Sequence, residues 1–178
     1  MAHLPIAHVR ESLAQGPRIF EGLIAAAPAD TLEWREAVGA WTPKEVLAHL
    51  ADGEITDWMP RVEKILAGGG RFPSYEREGG FTRYHGWTAE ALVGEFGQLR
   101  RANLERLDRL SLSAAHLRLT GEHPAFGTVT LEQLLATWAA HDMAHVLQIS
   151  RILQRAFGRR VGPWRQYFSA LKDWELHD

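Results

Sequence analysis

The sequence predicts an all-α protein, a four-helix bundle folded as a single domain over residues 1–178. Three observations indicate this fold: apolar residues recur at three- and four-residue steps in four long segments, helix-capping residues precede several of them, and no linker-like tract divides the chain. A chain of this length buries about 70 % of the surface that it exposes when unfolded. It therefore needs no disulfide, and it contains no cysteine.

The first helix is predicted over residues 6–27, where the apolar residues keep a helical period. Gly16 and Pro17 fall inside this segment, and we expect a kink or break there because proline removes a backbone donor. Residues 28–30 end the helix, and a loop follows.

The second helix is predicted to begin after Thr42. Thr42 is a good N-cap, Pro43 suits the first helical position, and Glu45 completes a capping box. We expect this helix to continue to about residue 67, with a bend at Pro60, and to end at the three glycines of 68–70.

Residues 68–87 are rich in glycine, arginine and aromatic residues, and they predict a long ordered loop. Loops of this length in compact domains are often binding loops or lids. Thr88 then caps a third helix, which is expected to continue to about Leu110.

The fourth helix is predicted over residues 130–154, with a capping box formed by Thr130 and Gln133 and with Gly158 placed to end it. The segment before it, residues 117–129, is interrupted by glycine and proline and is expected to be briefly extended. A short C-terminal helix is expected to begin at Pro163.

His141 and His145 carry the clearest chemistry in the chain. A spacing of four residues places both on one face of a helix, about 6 Å apart at Cβ, and they interrupt the apolar stripe of the fourth helix. Buried imidazoles without partners are costly, so the spacing favours a divalent metal that is also bound by a residue of another helix. The alternative is a pair of core histidines that are hydrogen-bonded to carbonyl or carboxylate groups.

His49 is the best candidate for the third ligand, because it lies on the apolar side of the second helix. Three imidazoles leave one coordination position open, as in catalytic zinc sites. We expect zinc or nickel first, with iron or manganese as alternatives. Asp52 follows His49 by three residues and is a candidate catalytic base, metal contact or residue that orients an imidazole.

The other acidic residues and histidines are expected to be ordinary. Asp142 points about 100° away from His141 around the helix, so we expect a surface salt bridge or a helix contact. Glu54 and Asp57 are expected on a solvated face. Six histidines are expected in loops or on the surface, although one of them, His85, lies in the long loop: His3, His8, His85, His116, His123 and His177.

Charge and motifs exclude several classes of protein. A net charge of −2 without a basic patch argues against nucleic-acid binding. No apolar run is long enough for a signal peptide or a membrane span, so we expect a cytoplasmic protein. Signatures of ferritin-like di-iron sites, zinc proteases, phosphate loops and serine hydrolases are absent. The adjacent His141 and Asp142 also suggest the helical HD phosphohydrolases, but their upstream histidine lies much nearer in sequence than His49 does.

Over nearly its whole length the chain resembles one family, the DinB-like superfamily of damage-inducible proteins and metalloenzymes, and three segments carry the resemblance. They are WTPKEVLAHLADGEITDWMPRVEKIL, HPAFGTVTLEQLLATWAAHDMAHVLQI and VGPWRQYFSAL. The resemblance implies that His49, His141 and His145 are the metal ligands. It also implies an up-up-down-down bundle, often assembled as a homodimer.

Relatives in this family include bacillithiol S-transferases, mycothiol-dependent maleylpyruvate isomerase and glutathione-dependent enzymes, in which the metal is thought to lower the pKa of a thiol cofactor. The resemblance therefore implies a divalent-metal-dependent thiol S-transferase or hydrolase that acts on a small-molecule substrate, with a low-molecular-weight thiol as a candidate cofactor. Two alternatives stay open: a non-catalytic, stress-related metal-binding protein and a metal-free helical dimerisation module.

Overall fold

The computed structural model describes residues 5–158, 160–172 and 174. The α-helices are α1 (Ile6–Ala25), α2 (Pro43–Thr56), α3 (Trp58–Leu66), α4 (Gly79–Arg83), α5 (Ala89–Arg109), α6 (Ala114–Leu117), α7 (Leu131–Phe157) and α8 (Ser169–Lys172). The strands are β1 (Thr120–His123) and β2 (Gly127–Thr130), and two 3-10 helices span Ala29–Glu33 and Gly162–Tyr167. The predicted four-helix bundle with a short C-terminal helix is confirmed. None of the helices in the described ranges has the length and apolarity that crossing a membrane requires.

The core consists of two apolar clusters, one towards each end of the bundle. Helices α1, α5 and α7 contribute to both, α3 contributes to the first and α2 to the second. The first includes Leu13, Val62, Leu107 and Leu131. The second includes Phe20, Leu47, Phe96 and Ile149. Helices α1 and α7 therefore run one way, and α2 with α3 and α5 run the other.

The order of the helices around the bundle follows from which ones touch. Helix α5 packs against α1 and α2, and α7 packs against α1, α2 and α3. Around the bundle the order is therefore α7, α1, α5, α2, with directions up, up, down and down. In chain order, the same directions read up, down, down and up.

Helix α1 is not broken at Pro17, which lies inside a single helix that ends at Ala25, two residues earlier than predicted. Proline has no N–H, so the carbonyl of Leu13 loses its helical donor. Nη1 of Arg100 donates to that carbonyl oxygen at 2.9 Å. A side chain of α5 thus satisfies the acceptor that the proline leaves free, and the helix continues.

The second predicted helix is in fact two, because the chain breaks at Asp57 (φ −115°, ψ −65°) rather than bending at Pro60. Pro60 then falls in the first turn of α3. A backbone N–H there has no helical partner, so the missing N–H of the proline costs little. The predicted capping box of Thr42 and Glu45 is confirmed at the start of α2.

The segments between the long helices are more ordered than their composition suggests. Residues 68–87 contain α4, and Arg71 forms a parallel bridge with Glu122. The segment predicted to be briefly extended forms an antiparallel hairpin in which Thr120 pairs with Thr130. Gly127, at φ 71°, begins the returning strand, a backbone conformation that glycine adopts without strain. The hairpin and the long loop lie beside the start of α7.

Candidate metal centre

The side chains of His49 from α2 and of His141 and His145 from α7 meet inside the bundle. The Nε2 atom of His141 lies 3.1 Å from the Nε2 atoms of both His49 and His145. One ligand atom from each residue lies within 4.8 Å of the others. Zinc–nitrogen bonds of about 2.0–2.1 Å in a tetrahedral site separate nitrogens by about 3.4 Å. The separations in the structure are close to that value, so the three residues can surround one cation.

Hydrogen bonds fix the orientation of two of the three rings. Nδ1 of His49 donates to the carbonyl oxygen of Arg77 at 2.9 Å, and Nδ1 of His145 donates to Oε1 of Gln148 at 2.7 Å. Because both partners are acceptors, each Nδ1 carries the hydrogen and each Nε2 presents a lone pair. Nδ1 of His141 is buried and has no partner among the described residues. This donor set fits a divalent cation held by three Nε2 atoms.

The surroundings keep the imidazoles uncharged. Burial lowers the pKa of His49 to about 4 and that of His141 to about 2, and it also lowers the pKa of His145. The positive charge of Arg77 acts in the same direction on all three rings. A histidine must be neutral to bind a metal, so the site is ready for a cation at neutral pH.

The three rings face a cavity of about 360 Å³, a volume suited to a small molecule. Helices α2, α3 and α7, the hairpin and the long loop all contribute to its wall. Besides the three histidines, its lining comprises Asp57, Trp58, Arg61, Phe72, Tyr75, Arg77, His123, Phe126, Val129, Gln133, Leu134 and Thr137. The contribution of Phe72, Tyr75 and Arg77 agrees with the prediction of a binding loop over 68–87.

Aromatic residues surround the histidines. Two of them are Trp41 and Trp58, whose place in the site the sequence did not reveal. The ring of Trp41 lies 5.0 Å from that of His49 and is stacked on that of His145 at 6.5 Å. The ring of Trp58 lies 5.1 Å from that of His141. These rings shield the imidazoles from water and hold them in place. The position of Trp41, directly before the Thr42 cap of the helix that carries His49, was the available signal.

Asp52 does not join the three histidines. Its buried carboxylate accepts hydrogen bonds from Nε of Arg83 at 2.7 Å and from Oγ1 of Thr56 at 3.1 Å. It is absent from the cavity lining and from the group of candidate ligands. Its predicted role as a base or an orienting residue stays a prediction, and the contact with Arg83 at the end of α4 shows that it ties the long loop to α2.

Asp142 is ion-paired as expected, but in the interior of the bundle rather than at its surface. Nη1 of Arg100 donates to Oδ2 of Asp142 at 2.5 Å, and Nη2 donates to Oδ1 at 2.9 Å. Both side chains are only 1 % exposed. With its carboxylate held by Arg100, Asp142 does not share the metal centre as the aspartate of an HD dyad would.

The expectation that Glu54 and Asp57 face solvent is wrong. Glu54 accepts from Nη2 of Arg100 at 2.8 Å and from Nε1 of Trp138 at 3.0 Å, and Asp57 pairs with Arg61 at 2.6 Å. Burial raises the pKa of Asp57 to about 6 in spite of Arg61. Helix α2 packs against α5 as well as α7, so more of its circumference is buried than its own apolar stripe indicates.

The remaining histidines stand mostly as expected. His8 and His85 are exposed, and His116 forms a capping box with the N-cap residue Ser113 at the start of α6. His123 lines the cavity, where its Nδ1 accepts from the backbone N–H groups of residues 125 and 126. His3 and His177 lie outside the described residues.

Comparison with known proteins agrees with the fold. The family model of the DinB superfamily matches residues 12–149. Among solved structures, the fold is similar to that of YfiT from Bacillus subtilis, described as a probable metal-dependent hydrolase with an unusual four-helix bundle topology. The TM-score is 0.72 and the identity 16 %, over 88 % of this chain and 90 % of that chain. No curated protein sequence matches. Since the family match spans most of its length, the chain belongs to the DinB superfamily.

Proposed function

We propose that the protein is a divalent-metal-dependent enzyme that acts on a small molecule, with His49, His141 and His145 as the ligands. The observation that carries the proposal is the convergence of three Nε2 atoms, 3.1 Å apart in two pairs, at the wall of a cavity. Three protein ligands leave a coordination position for a substrate or water, as in catalytic zinc sites. The structural similarity to YfiT, itself described as a probable metal-dependent hydrolase, supports the same class.

His49, His141 and His145 would hold the cation, which would lower the pKa of a bound water or thiol and so would supply a nucleophile near neutral pH. The protein's own residues have three tasks. The carbonyl of Arg77 and the amide of Gln148 hold two imidazoles in the ligand-ready tautomer. Trp41 and Trp58 limit access of water to the rings, and the cavity positions the reactant.

The proposal includes two reactions, thiol S-transfer and hydrolysis. Since the chain has no cysteine, S-transfer needs a low-molecular-weight thiol as a second reactant. Zinc or nickel is proposed as the metal before iron or manganese. The two reactions are separated by incubating the metal-loaded protein with 1-chloro-2,4-dinitrobenzene plus glutathione or bacillithiol, and separately with p-nitrophenyl acetate. Turnover that requires the thiol supports S-transfer, and ester cleavage without a thiol supports hydrolysis.

The metal is tested first, by elemental analysis of untagged protein purified without chelator. The parent protein is compared with His141→Ala and with the control His85→Ala, which removes an exposed histidine outside the cavity. We expect near-stoichiometric metal in the parent and the control, and a large loss in His141→Ala. No metal in any sample after reconstitution with zinc, nickel or manganese would contradict the proposal and favour a metal-free dimerisation module. Bound metal without turnover would favour a metal-binding protein. Sedimentation of the same samples tests the proposed homodimer.

A further inference from the structure

Arg77 is held beside the three histidines by its backbone and by its side chain. Its carbonyl oxygen accepts the hydrogen bond from Nδ1 of His49 at 2.9 Å. Its guanidinium carbon lies 5.2 Å from the centre of the Trp41 ring, an attractive arrangement of a cation over an aromatic face. Since Trp41 also contacts His49 and His145, the guanidinium stands at the cavity that the histidines face.

The neighbouring arginines all have carboxylate partners. Arg61 pairs with Asp57, Arg83 with Asp52, and Arg100 with Glu54 and Asp142. The guanidinium of Arg77, by contrast, meets no carboxylate anywhere in the part of the chain that the structure describes. Of the two arginines that line the cavity, Arg77 is therefore the one whose charge is not already compensated.

Arg77 is exposed, so water solvates its guanidinium, but its positive charge still repels a cation held by the three histidines. An anion bound between the cation and the guanidinium of Arg77 would attract both of them. Guanidinium groups are well suited to this role, since their planar N–H donors match the two oxygens of a carboxylate. The rest of the cavity lining is largely apolar and aromatic, with Trp58, Phe72 and Phe126 among its walls.

We propose that Arg77 binds the carboxylate of a small organic acid whose apolar part packs against the aromatic walls of the cavity. This inference rests on the proposed function, because it places that carboxylate beside the reacting position. Arg77 is then a substrate-binding residue, and the site selects anionic over neutral molecules of the same shape. The carboxylate can belong to the substrate or to a thiol cofactor, and the experiment has one arm for each.

Isothermal titration calorimetry tests the proposal on the zinc-loaded protein with two carboxylate probes, phenylacetate and S-methylglutathione, and with neutral phenylacetamide. The variants are Arg77→Gln and the control Arg71→Gln, which removes the same charge from the same loop outside the cavity lining. We expect Arg77→Gln to bind at least one carboxylate probe about tenfold or more weakly than the wild type does, as the loss of a charged hydrogen-bond pair predicts. Phenylacetamide binding, and all binding to Arg71→Gln, should be unchanged.

The two arms identify the source of the carboxylate. If Arg77→Gln loses affinity for phenylacetate alone, the carboxylate belongs to an acidic substrate. If it loses affinity for S-methylglutathione alone, the carboxylate belongs to a thiol cofactor. The proposal is overturned if Arg77→Gln binds both carboxylate probes as tightly as the wild type does. It is also overturned if Arg77→Gln loses as much affinity for phenylacetamide as for the carboxylate probes, or if Arg71→Gln loses as much affinity as Arg77→Gln.

Zinc content and binding to the metal-free protein separate this inference from the proposed function. The side chain of Arg77 is not a ligand, so Arg77→Gln should keep its zinc. If the protein retains zinc but its binding of the carboxylate probes does not depend on Arg77, the carboxylate site is overturned and the proposed metal enzyme is not affected. If the wild type holds no zinc but binds a carboxylate probe in a way that depends on Arg77, the proposed metal enzyme is overturned and the carboxylate site is supported.

Discussion

Arg100 of α5 donates a hydrogen bond to the carbonyl oxygen of Leu13 in α1, the acceptor that Pro17 leaves without a helical donor. The same guanidinium holds Asp142 of α7 and Glu54 of α2. One side chain thus connects all four long helices at the centre of the bundle. Burial by itself lowers the pKa of Arg100, but the hydrogen bond with Asp142 and the charge of Glu54 outweigh it and raise that pKa, so the guanidinium stays charged.

Replacing Arg100 with methionine should strongly destabilise the fold. The substitution leaves the buried carboxylate of Asp142 and the carbonyl of Leu13 without this donor, and Glu54 keeps only the neutral donors Trp138 and Asn103. Breaking a buried ion pair from one side typically costs about 3–5 kcal/mol. Urea denaturation followed by circular dichroism measures the change in the free energy of unfolding. The control is Arg101→Met at the exposed neighbouring position, which should change stability by less than about 0.5 kcal/mol. Equal stability of the two variants would show that the buried network contributes nothing.

Gly16→Ala should destabilise the protein although alanine is the better helix former. A Cβ atom at Gly16 would lie 2.5 Å from Oδ2 of Asp142, and overpacking of this kind costs about 1–3 kcal/mol. Gly22→Ala in the same helix is the matched control, because a Cβ there meets nothing within 4 Å. The control should gain up to about 1 kcal/mol from helix propensity. Thermal unfolding of both variants checks the opposite signs, and a stabilised Gly16→Ala would contradict the close contact.

The three candidate ligands could be predicted because helical periodicity determines the face of its own helix on which each one lies. His141 and His145 share a face whatever the tertiary structure, and His49 lies on the apolar side of its own helix. Glu54 was misplaced for a physical reason: periodicity compares a residue with its own helix and does not show which other helices will cover it. Its partner Arg100 lies 46 positions further along the chain.

The loop residues of the site could not be predicted one by one. The composition of 68–87 predicted a binding loop, but a loop has no period that would indicate which side chains turn inward. Arg77 reaches the site because its carbonyl accepts from His49 and because Trp41 lies beneath its guanidinium. Both contacts join segments whose proximity depends on the path of the chain.

Gln148→Ala should weaken metal binding without removing a ligand. Oε1 of Gln148 accepts the hydrogen from Nδ1 of His145 at 2.7 Å and thereby orients the ring, and loss of such a partner typically reduces metal affinity about 10–100-fold. Competition with a chromophoric zinc chelator measures the dissociation constant. Gln154→Ala, at an exposed position six residues further along α7, should bind zinc as the wild type does. Unchanged affinity in Gln148→Ala would show that this hydrogen bond does not support the metal.

Glu36 should make stability depend on pH in the acidic range. Burial alone would raise its pKa, but the hydrogen bond with Arg151 and the charges of Arg151 and Arg155 outweigh burial and lower the pKa below the usual 4.5. Because the folded state favours the carboxylate, the stabilisation is complete above that value. It is lost as the pH falls through the lowered pKa.

The Glu36→Gln variant tests this dependence. It should be less stable than wild type by roughly 1–3 kcal/mol at pH 7, since it loses charged hydrogen bonds, and the difference should shrink as the pH is lowered below about 4.5. Urea denaturation at several pH values measures the free energy of unfolding of both proteins. Glu21→Gln, at an exposed position on α1, should follow the wild-type curve throughout. A constant difference between wild type and Glu36→Gln at every pH would show that the ionised carboxylate of Glu36 does not carry the stabilisation, because only a contribution that depends on charge disappears when the carboxylate is protonated.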